Sequence, residues 1–453
     1  MNWKDTLYIA YRCGKAEFSR VVFRIEALLH SIQPGKVVFC STEGMGGYGD
    51  NPKAIAEKLH ADHPEYELVW LVNDMRKTFP PYIRKAPNTL WSRAYEYATA
   101  RVWVDCHRKP FGTRKRAGQH YLQTFHCDIC FKPLGADRGG KMPRIAEMVS
   151  EADSALIDLW LTSSKWNEDM VRRAMYYHGP VERVGSPRCD ILFHERTSLS
   201  PQIRERFHIP QDAQILLFAP TFRAGSQTRH RTVEAEEVTL DFQQVLDALE
   251  ARTGHSWYLM LRLHPQVAAH MEKYPLAQNV RHVVDASQYG DAYELLAAAD
   301  ALLTDYSSLA FDASFVHLPV FLYADDLAAY QADRNKLYFD MYHLPFPFAE
   351  TQQALLENIQ SFDKAAYDAA LDAFLRIMDT REDGHACERA ERVIEAWMTE
   401  TFVLQGGQTL YNRIQISTAN IIVQTDVRCF FVAIFLLKYS RSKRSMRSDP
   451  CHN

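Results

Sequence analysis

Thr304, Asp305, Tyr306, Ser307 and Ser308 follow the apolar run Ala301-Leu302-Leu303, and a helical pattern starts at Leu309. A strand that turns into a helix through hydroxyl-bearing residues can hold an anion, because a helix N-terminus presents unpaired N–H groups and the positive end of a dipole. The same residue types are the preferred helix caps, so capping and anion binding are both open readings of this segment. His126 follows the strand-like run His120 to Phe125, and a neutral imidazole there can take a proton from an attacking hydroxyl near pH 7. Lys132, a little further on, can hold an acidic acceptor. His264 ends the run Tyr258 to Leu263 ahead of Pro265, which stops a strand ladder, and Arg223 lies just past Thr221 at another strand end. Both suit phosphate oxygens.

Cys127 and Cys130 have the two-residue spacing of a metal or redox pair. No second pair at compact spacing accompanies them, and no strand-then-helix context lowers a thiol pKa, so neither a metal site nor a reactive dithiol is predicted. A divalent ion accompanying a bound phosphate stays an open alternative.

These residues need elements to carry them. Lys36–Cys40, Glu67–Val72, Ala100–Asp105, His120–Phe125 and Leu159–Ser163 read as strands, with a helix at Pro52–Leu59. A second rhythm runs through Gln214–Ala219, a helix at Phe242–Leu249, Trp257–Leu263, Val280–Val284, a helix at Ala292–Ala299, Ala301–Thr304 and Pro319–Tyr323. Strands alternating with helices imply parallel, doubly wound α/β sheets, whose ligands sit where strands end. The glycine-rich loop Glu43–Pro52 does not reproduce a dinucleotide fingerprint and reads as a cleft-facing acceptor loop in which Asp50 is a poor neighbour for phosphate. Gly185 to Pro201 is a predicted linker, Gly225 to Thr232 a polar basic loop, and Phe18 to Ile32 an amphipathic helix that serves a core or touches a membrane surface.

With 453 residues, 47% of them hydrophobic, the chain is long enough for two or more domains. A net charge of -4 gives no global reason to expect nucleic acid. Nine cysteines, an odd number, fit reduced thiols of the cytosol better than a disulfide framework. Lys4, Asp5, Arg12 and Lys15 break any signal-like run, and no stretch reaches the roughly 20 apolar residues that cross a bilayer.

Six motifs then occur in order: Gln123-Thr124-Phe125-His126 with Lys132; Gly185-Ser186-Pro187-Arg188-Cys189-Asp190; Ala219-Pro220-Thr221-Phe222-Arg223; Leu261-Arg262-Leu263-His264-Pro265; Thr304-Asp305-Tyr306-Ser307-Ser308 with Phe311-Asp312; and Asp383-Gly384-His385-Ala386 with Glu388-Arg389. Together they resemble the CDP-glycerol glycerophosphotransferase family of teichoic-acid and capsule polymerases and primases, from about Gly44 to Trp397. The resemblance implies a GT-B-like α/β fold, two Rossmann-like domains facing across a cleft. Residues 1–185 would form the acceptor side, 186–398 would bind the CDP donor, and 399–453 would be a tail. It implies transfer of glycerol phosphate or another polyol phosphate from a CDP-polyol to a hydroxyl of a lipid-linked polymer, on the cytoplasmic face of the membrane; it names no certain cofactor and leaves a divalent metal open. His126 becomes the candidate base and His264 acts at the donor phosphates. Arg223, Thr304, Ser307, Ser308 and Asp312 fall on donor-binding positions.

The family usually has Gly followed by Thr, Ser or Gly after the first histidine, whereas this chain has Cys127-Asp128. An acid beside the base orients it, or marks a different acceptor or a degraded site. A nucleotide-sugar glycosyltransferase or epimerase, and a binding scaffold without turnover, remain the alternatives. The tail carries an apolar run, Cys429–Leu437, ahead of Lys438, Arg441, Lys443, Arg444 and Arg447. It reads as an interfacial anchor, an accessory segment or a non-native reading frame. Arg108, Lys109, Arg114, Lys115 and Arg116 are candidates for electrostatic support at a membrane, or a solvated loop.

Overall fold

The computed structural model describes residues 3–221, 240–263, 280–334 and 336–399. His264, Arg223, the Gly225–Thr232 loop and the tail beyond residue 399 lie outside them. Two parallel sheets carry the described residues. The first has the order β3-β2-β1-β4-β5-β6-β7, with β1 Gln33–Cys40, β2 Glu67–Val72, β3 Ile83–Pro87, β4 Ala100–Asp105, β5 His120–Gln123, β6 Leu159–Thr162 and β7 Val181–Arg183. The second has the order β10-β9-β8-β11-β12-β13, with β8 Gln214–Phe218, β9 Trp257–Leu261, β10 Val283–Asp285, β11 Ala301–Thr304, β12 Val320–Tyr323 and β13 Phe348–Ala349.

β4 and β11 are buried along their whole length, as strands covered by helices on both faces should be. Each sheet reverses its strand order once, between β1 and β4 in the first and between β8 and β11 in the second. In such sheets the crevice beyond the strand ends at the reversal is where ligands bind. Two Rossmann-like units of this kind make a GT-B-like α/β architecture.

The segment after Gly185 joins the first sheet to the second, as a linker does, but it is regular structure rather than a loop. It forms a tight turn, Pro187–Cys189, and the helices Asp190–His194 and Arg196–Arg206, with Arg188 and Cys189 buried. Its polar composition concealed this, because Arg188 is buried by ion pairing rather than by apolarity. The helix Ala386–Thr399 returns to the first sheet, where Ala390 and Ile394 join the core of Val37, Phe39, Val102 and Val104. Trp397 secures it there, accepting at its carbonyl a hydrogen bond from Arg101 Nε at 2.9 Å and stacking on His120 at 4.7 Å.

The amphipathic helix is longer than its sequence pattern suggests, Trp3–Leu29. Ala16, Val22 and Phe23 pack inward, while Trp3, Leu7, Tyr11, Phe18 and Leu28 are exposed. The loop beside it comes close enough that a Cβ on Gly112 (φ +91°) would meet the Ala16 carbonyl oxygen at 2.4 Å, so only glycine fits. Lys109 in this loop points inward, 2% exposed, and donates to Asp105 at 2.7 Å, which removes it from any membrane-facing set. Arg116 donates to the Ala27 and His30 carbonyls at the end of the long helix, and Lys115 to Leu156 O and Asp158. Arg114 stays exposed, near Arg20 and Arg24. No helix among the described residues is long and apolar enough to cross a membrane.

Candidate active site

β5 leads into His126 through a strained turn. Phe125 sits at φ +50°, a region bulky residues avoid, and the turn is pinned by Thr124 N–H on Asp105 O (2.9 Å) and Phe125 N–H on Gln123 Oε1 (2.9 Å). The turn brings His126 back against the end of β4. There His126 Nδ1 lies 3.4 Å from the Cys106 carbonyl oxygen, and its ring stacks on His107 at 4.2 Å with planes 12° apart. A carbonyl only accepts, so Nδ1 carries the proton and Nε2 keeps its lone pair. Burial holds the His126 pKa below its ordinary value, against the opposing pull of the Asp50 carboxylate. At neutral pH the ring is therefore unprotonated and able to accept a proton at Nε2.

Asp128 is beside His126 in sequence but serves a different element. Its carboxylate accepts from Ser163 N–H at 2.8 Å and Ser164 Oγ at 2.6 Å, which ties β6 to the start of the helix Lys165–Ala174. The acid in the position that usually holds Thr, Ser or Gly thus spends its carboxylate on the scaffold. Lys132 is half-buried, with its ammonium 5.9 Å from the centre of the Tyr330 ring in the other domain. Cys127 and Cys130 are buried in the first domain's core, and no group of three His, Cys, Asp or Glu among the described residues is arranged for a metal.

Between the sheets lies an ionic cluster that sequence reading missed. Arg188 donates to Asp50 at 2.9 Å and to Asp312 at 3.0 Å, and Tyr293 OH donates to the same Asp312 oxygen at 2.6 Å. Asn51 clips this cluster to the His126 turn. Its side-chain oxygen accepts from Arg188 N–H (3.0 Å) and its amide donates to the Phe125 carbonyl (2.9 Å). Burial pushes the Asp50 carboxyl up, but the Arg188 guanidinium outweighs it and holds Asp50 below its ordinary range. Asp312, expected among donor ligands, is 1% exposed and spends its carboxylate on Arg188 and Tyr293. The signals available for this cluster were the Ser-Pro-Arg-Cys-Asp motif, noted without a chemical role, and Asp50 in the glycine-rich loop, noted only as a poor neighbour for phosphate.

On the second domain, Thr304 Oγ1 donates to the Ala219 carbonyl at 2.6 Å, and the Asp305 carboxylate accepts from Thr221 N–H (2.7 Å) and Tyr306 N–H (2.6 Å). These bonds join the ends of β8 and β11 at the reversal of strand order. Ser307 and Ser308 are half-buried at the head of the six-residue helix Leu309–Ser314. Ser307 Oγ accepts from Leu309 N–H at 3.3 Å, whereas Ser308 makes no capping bond. The structure thus gathers Thr304, Ser307, Ser308 and Asp312 around one sheet end, with Thr304 and Asp312 holding the frame.

A family model described as CDP-glycerol:poly(glycerophosphate) glycerophosphotransferase matches residues 21–396. A teichoic acid glycerol-phosphate transferase of Staphylococcus aureus is 28% identical over 358 residues, covering 76% of this chain and 88% of its own length. Teichoic acid poly(glycerol phosphate) polymerases of Staphylococcus epidermidis and Bacillus subtilis are 26% and 29% identical over 79% and 73% of this chain. The matches span 50% and 44% of those two polymerases, about half of their length. The solved structure of the wall teichoic acid polymerase TagF shares the fold, with a TM-score of 0.72 over 88% of this chain and 98% of that one at 23% identity. Matched by the family model across both sheets, the chain belongs to the CDP-glycerol:poly(glycerophosphate) glycerophosphotransferase family.

Proposed function

We propose that this protein transfers glycerol phosphate, or another polyol phosphate, from a CDP-activated donor to a hydroxyl of a teichoic-acid-type polymer, releasing CMP. The observation that carries this is His126, an imidazole whose Nδ1 lies against the Cys106 carbonyl, standing at the strand ends of the first sheet in a chain of this family. In the proposed step the acceptor oxygen attacks the donor's β-phosphorus in line. A new O–P bond forms, the bond to the bridging oxygen breaks, and CMP leaves with that oxygen. His126 takes the hydroxyl proton. Ser307 and Ser308 are the described hydroxyls left to meet the diphosphate, and the motifs add His264 and Arg223.

The acceptor in this reading is lipid-linked, which requires attachment to a membrane surface. The exposed apolar residues of the helix Trp3–Leu29, with Arg20, Arg24 and Arg114 at its flank, support peripheral attachment to an anionic leaflet.

The experiment is nucleotide release. The purified protein is offered CDP-glycerol, CDP-ribitol and UDP-sugars with a glycerol-phosphate-primed lipid acceptor. CMP release from a CDP-polyol is expected, reduced at least a thousandfold in His126→Ala with donor binding retained. Release from UDP-sugars alone, or full turnover by His126→Ala, overturns the proposal.

A further inference from the structure

His107 ends the excursion of β4 at the point where the first sheet reverses its strand order, and its backbone is held on both sides. Its N–H donates to Asp105 Oδ1 at 2.8 Å, and its carbonyl accepts from Gln123 Nε2 at 3.2 Å. Asp105 is itself fixed by Lys109 Nζ at 2.7 Å. The side chain is held too, with His107 Nδ1 3.3 Å from Cys106 Sγ. On this rigid mount the imidazole lies flat against His126, centroids 4.2 Å apart and planes 12° from parallel. So much tethering for a half-buried, titratable ring outside the core is more than packing requires.

We infer that His107 is a positioning residue for the transfer: its ring fixes the plane of the His126 imidazole and keeps water from one of its faces, so that Nε2 stays a free base. The inference rests on the reading of His126 as the base. Charged groups face the pair from several elements. Asp105 comes from β4, Glu43 from the loop after β1, Asp50 from the start of the helix Asp50–Asp62, Lys132 from the segment after β5, and Arg188 from between the sheets. Asp50 favours a cationic His126, while burial, Arg188 and Lys132 oppose it. Burial and the neighbouring His126 push the His107 pKa down to about 4, so His107 is a neutral partner at neutral pH. Two stacked imidazoles cannot both be protonated cheaply, so the pair takes up one added proton at most.

Removing the His107 ring admits water to the exposed face of His126 and restores hydration of its cation. The pKa of His126 then rises, and the acid limb of the rate profile moves to higher pH. His107→Phe keeps a flat ring and excludes water without titrating. The test measures CMP release from CDP-glycerol between pH 5 and 9 in the full-length wild type, His107→Ala, His107→Phe and His126→Ala. Expected for His107→Ala is a kcat lowered about tenfold, a KM for CDP-glycerol within twofold of wild type, and an acid limb shifted upward by about half a pH unit or more. His107→Phe should recover most of the rate and the original limb. Wild-type kcat and limb in His107→Ala overturn the inference, as do equal losses in both variants, or recovery by Phe without any shift of the limb in Ala. If His126→Ala turns over normally, the base reading itself fails; if His126→Ala is inactive while His107→Ala is unchanged, only the present inference fails.

Discussion

Arg188 has a side chain 3% exposed and pairs with two carboxylates, drawn from positions 138 and 124 residues away. Breaking such a buried pair by removing one partner leaves uncompensated charge and costs about 3–5 kcal/mol. Arg188→Met should therefore destabilise the fold by about that much in urea unfolding, and a loss under 1 kcal/mol would contradict the burial argument. The folded Asp50 pKa is depressed, so its share of stability is present above the unfolded value and is lost as pH falls through the folded one. Asp153 has the opposite sign. Burial pushes its carboxyl up to about 7, so the folded state keeps a proton that the unfolded chain releases near pH 4, and stability falls as pH rises through that window. Asp153→Asn should then be more stable than wild type at pH 8, by on the order of 2–4 kcal/mol, with the gain shrinking towards pH 4. Unfolding curves at pH 5 and 8 check this. Of these residues the sequence showed only His126 plainly, since a histidine after a strand is a local pattern. Arg188, Asp50 and Asp312 acquire meaning only when the chain folds them together.

At the scale of elements, the central strands were readable because burial on both faces leaves continuous apolar runs, here Leu68–Val72 and Val102–Val104. The edge strands β3 and β7 were not. Ile83-Arg84-Lys85-Ala86-Pro87 and Val181-Glu182-Arg183 are polar, as an edge with one unpaired side should be, so no apolar pattern marks them. Helix starts were more legible. Asp241 accepts from Gln243 N–H at 3.0 Å and Gln244 N–H at 3.2 Å, and Asp241→Ala should cost about 1 kcal/mol. The helix Trp3–Leu29 carries a functional prediction. Leu7→Asp with Leu28→Asp should release the protein from vesicles containing anionic phosphatidylglycerol while leaving CMP release with a soluble acceptor intact. Flotation on a density gradient reads the outcome, and unchanged vesicle binding would refute the role of this face.

The whole molecule is held across its cleft by more than one ionic contact. Lys53 on the helix Asp50–Asp62 donates to Asp291 at 2.6 Å and Glu294 at 2.7 Å on the second domain, with Glu57 also nearby. Lys53→Met leaves three carboxylates facing one another, and calorimetry should then resolve two unfolding transitions in place of one. The sequence reading assigned residues to domains by their order along the chain, so it placed the last helix with the second domain. The structure pairs that helix with the first sheet, because its apolar face, Ala390 and Ile394, fits the gap over Val37 and Val102. Gly185, where the chain leaves the first sheet, would place a Cβ 2.9 Å from that of Ala386, where it returns. On the ribosome this means that the first sheet emerges with one face covered only in part, by Ile55 and Leu59 of the helix Asp50–Asp62, and is sealed only after roughly two hundred further residues, some tens of seconds later at ordinary synthesis rates. During that interval the second domain must fold on its own while its neighbour waits, and the nascent first domain is the part of this protein most in need of a chaperone.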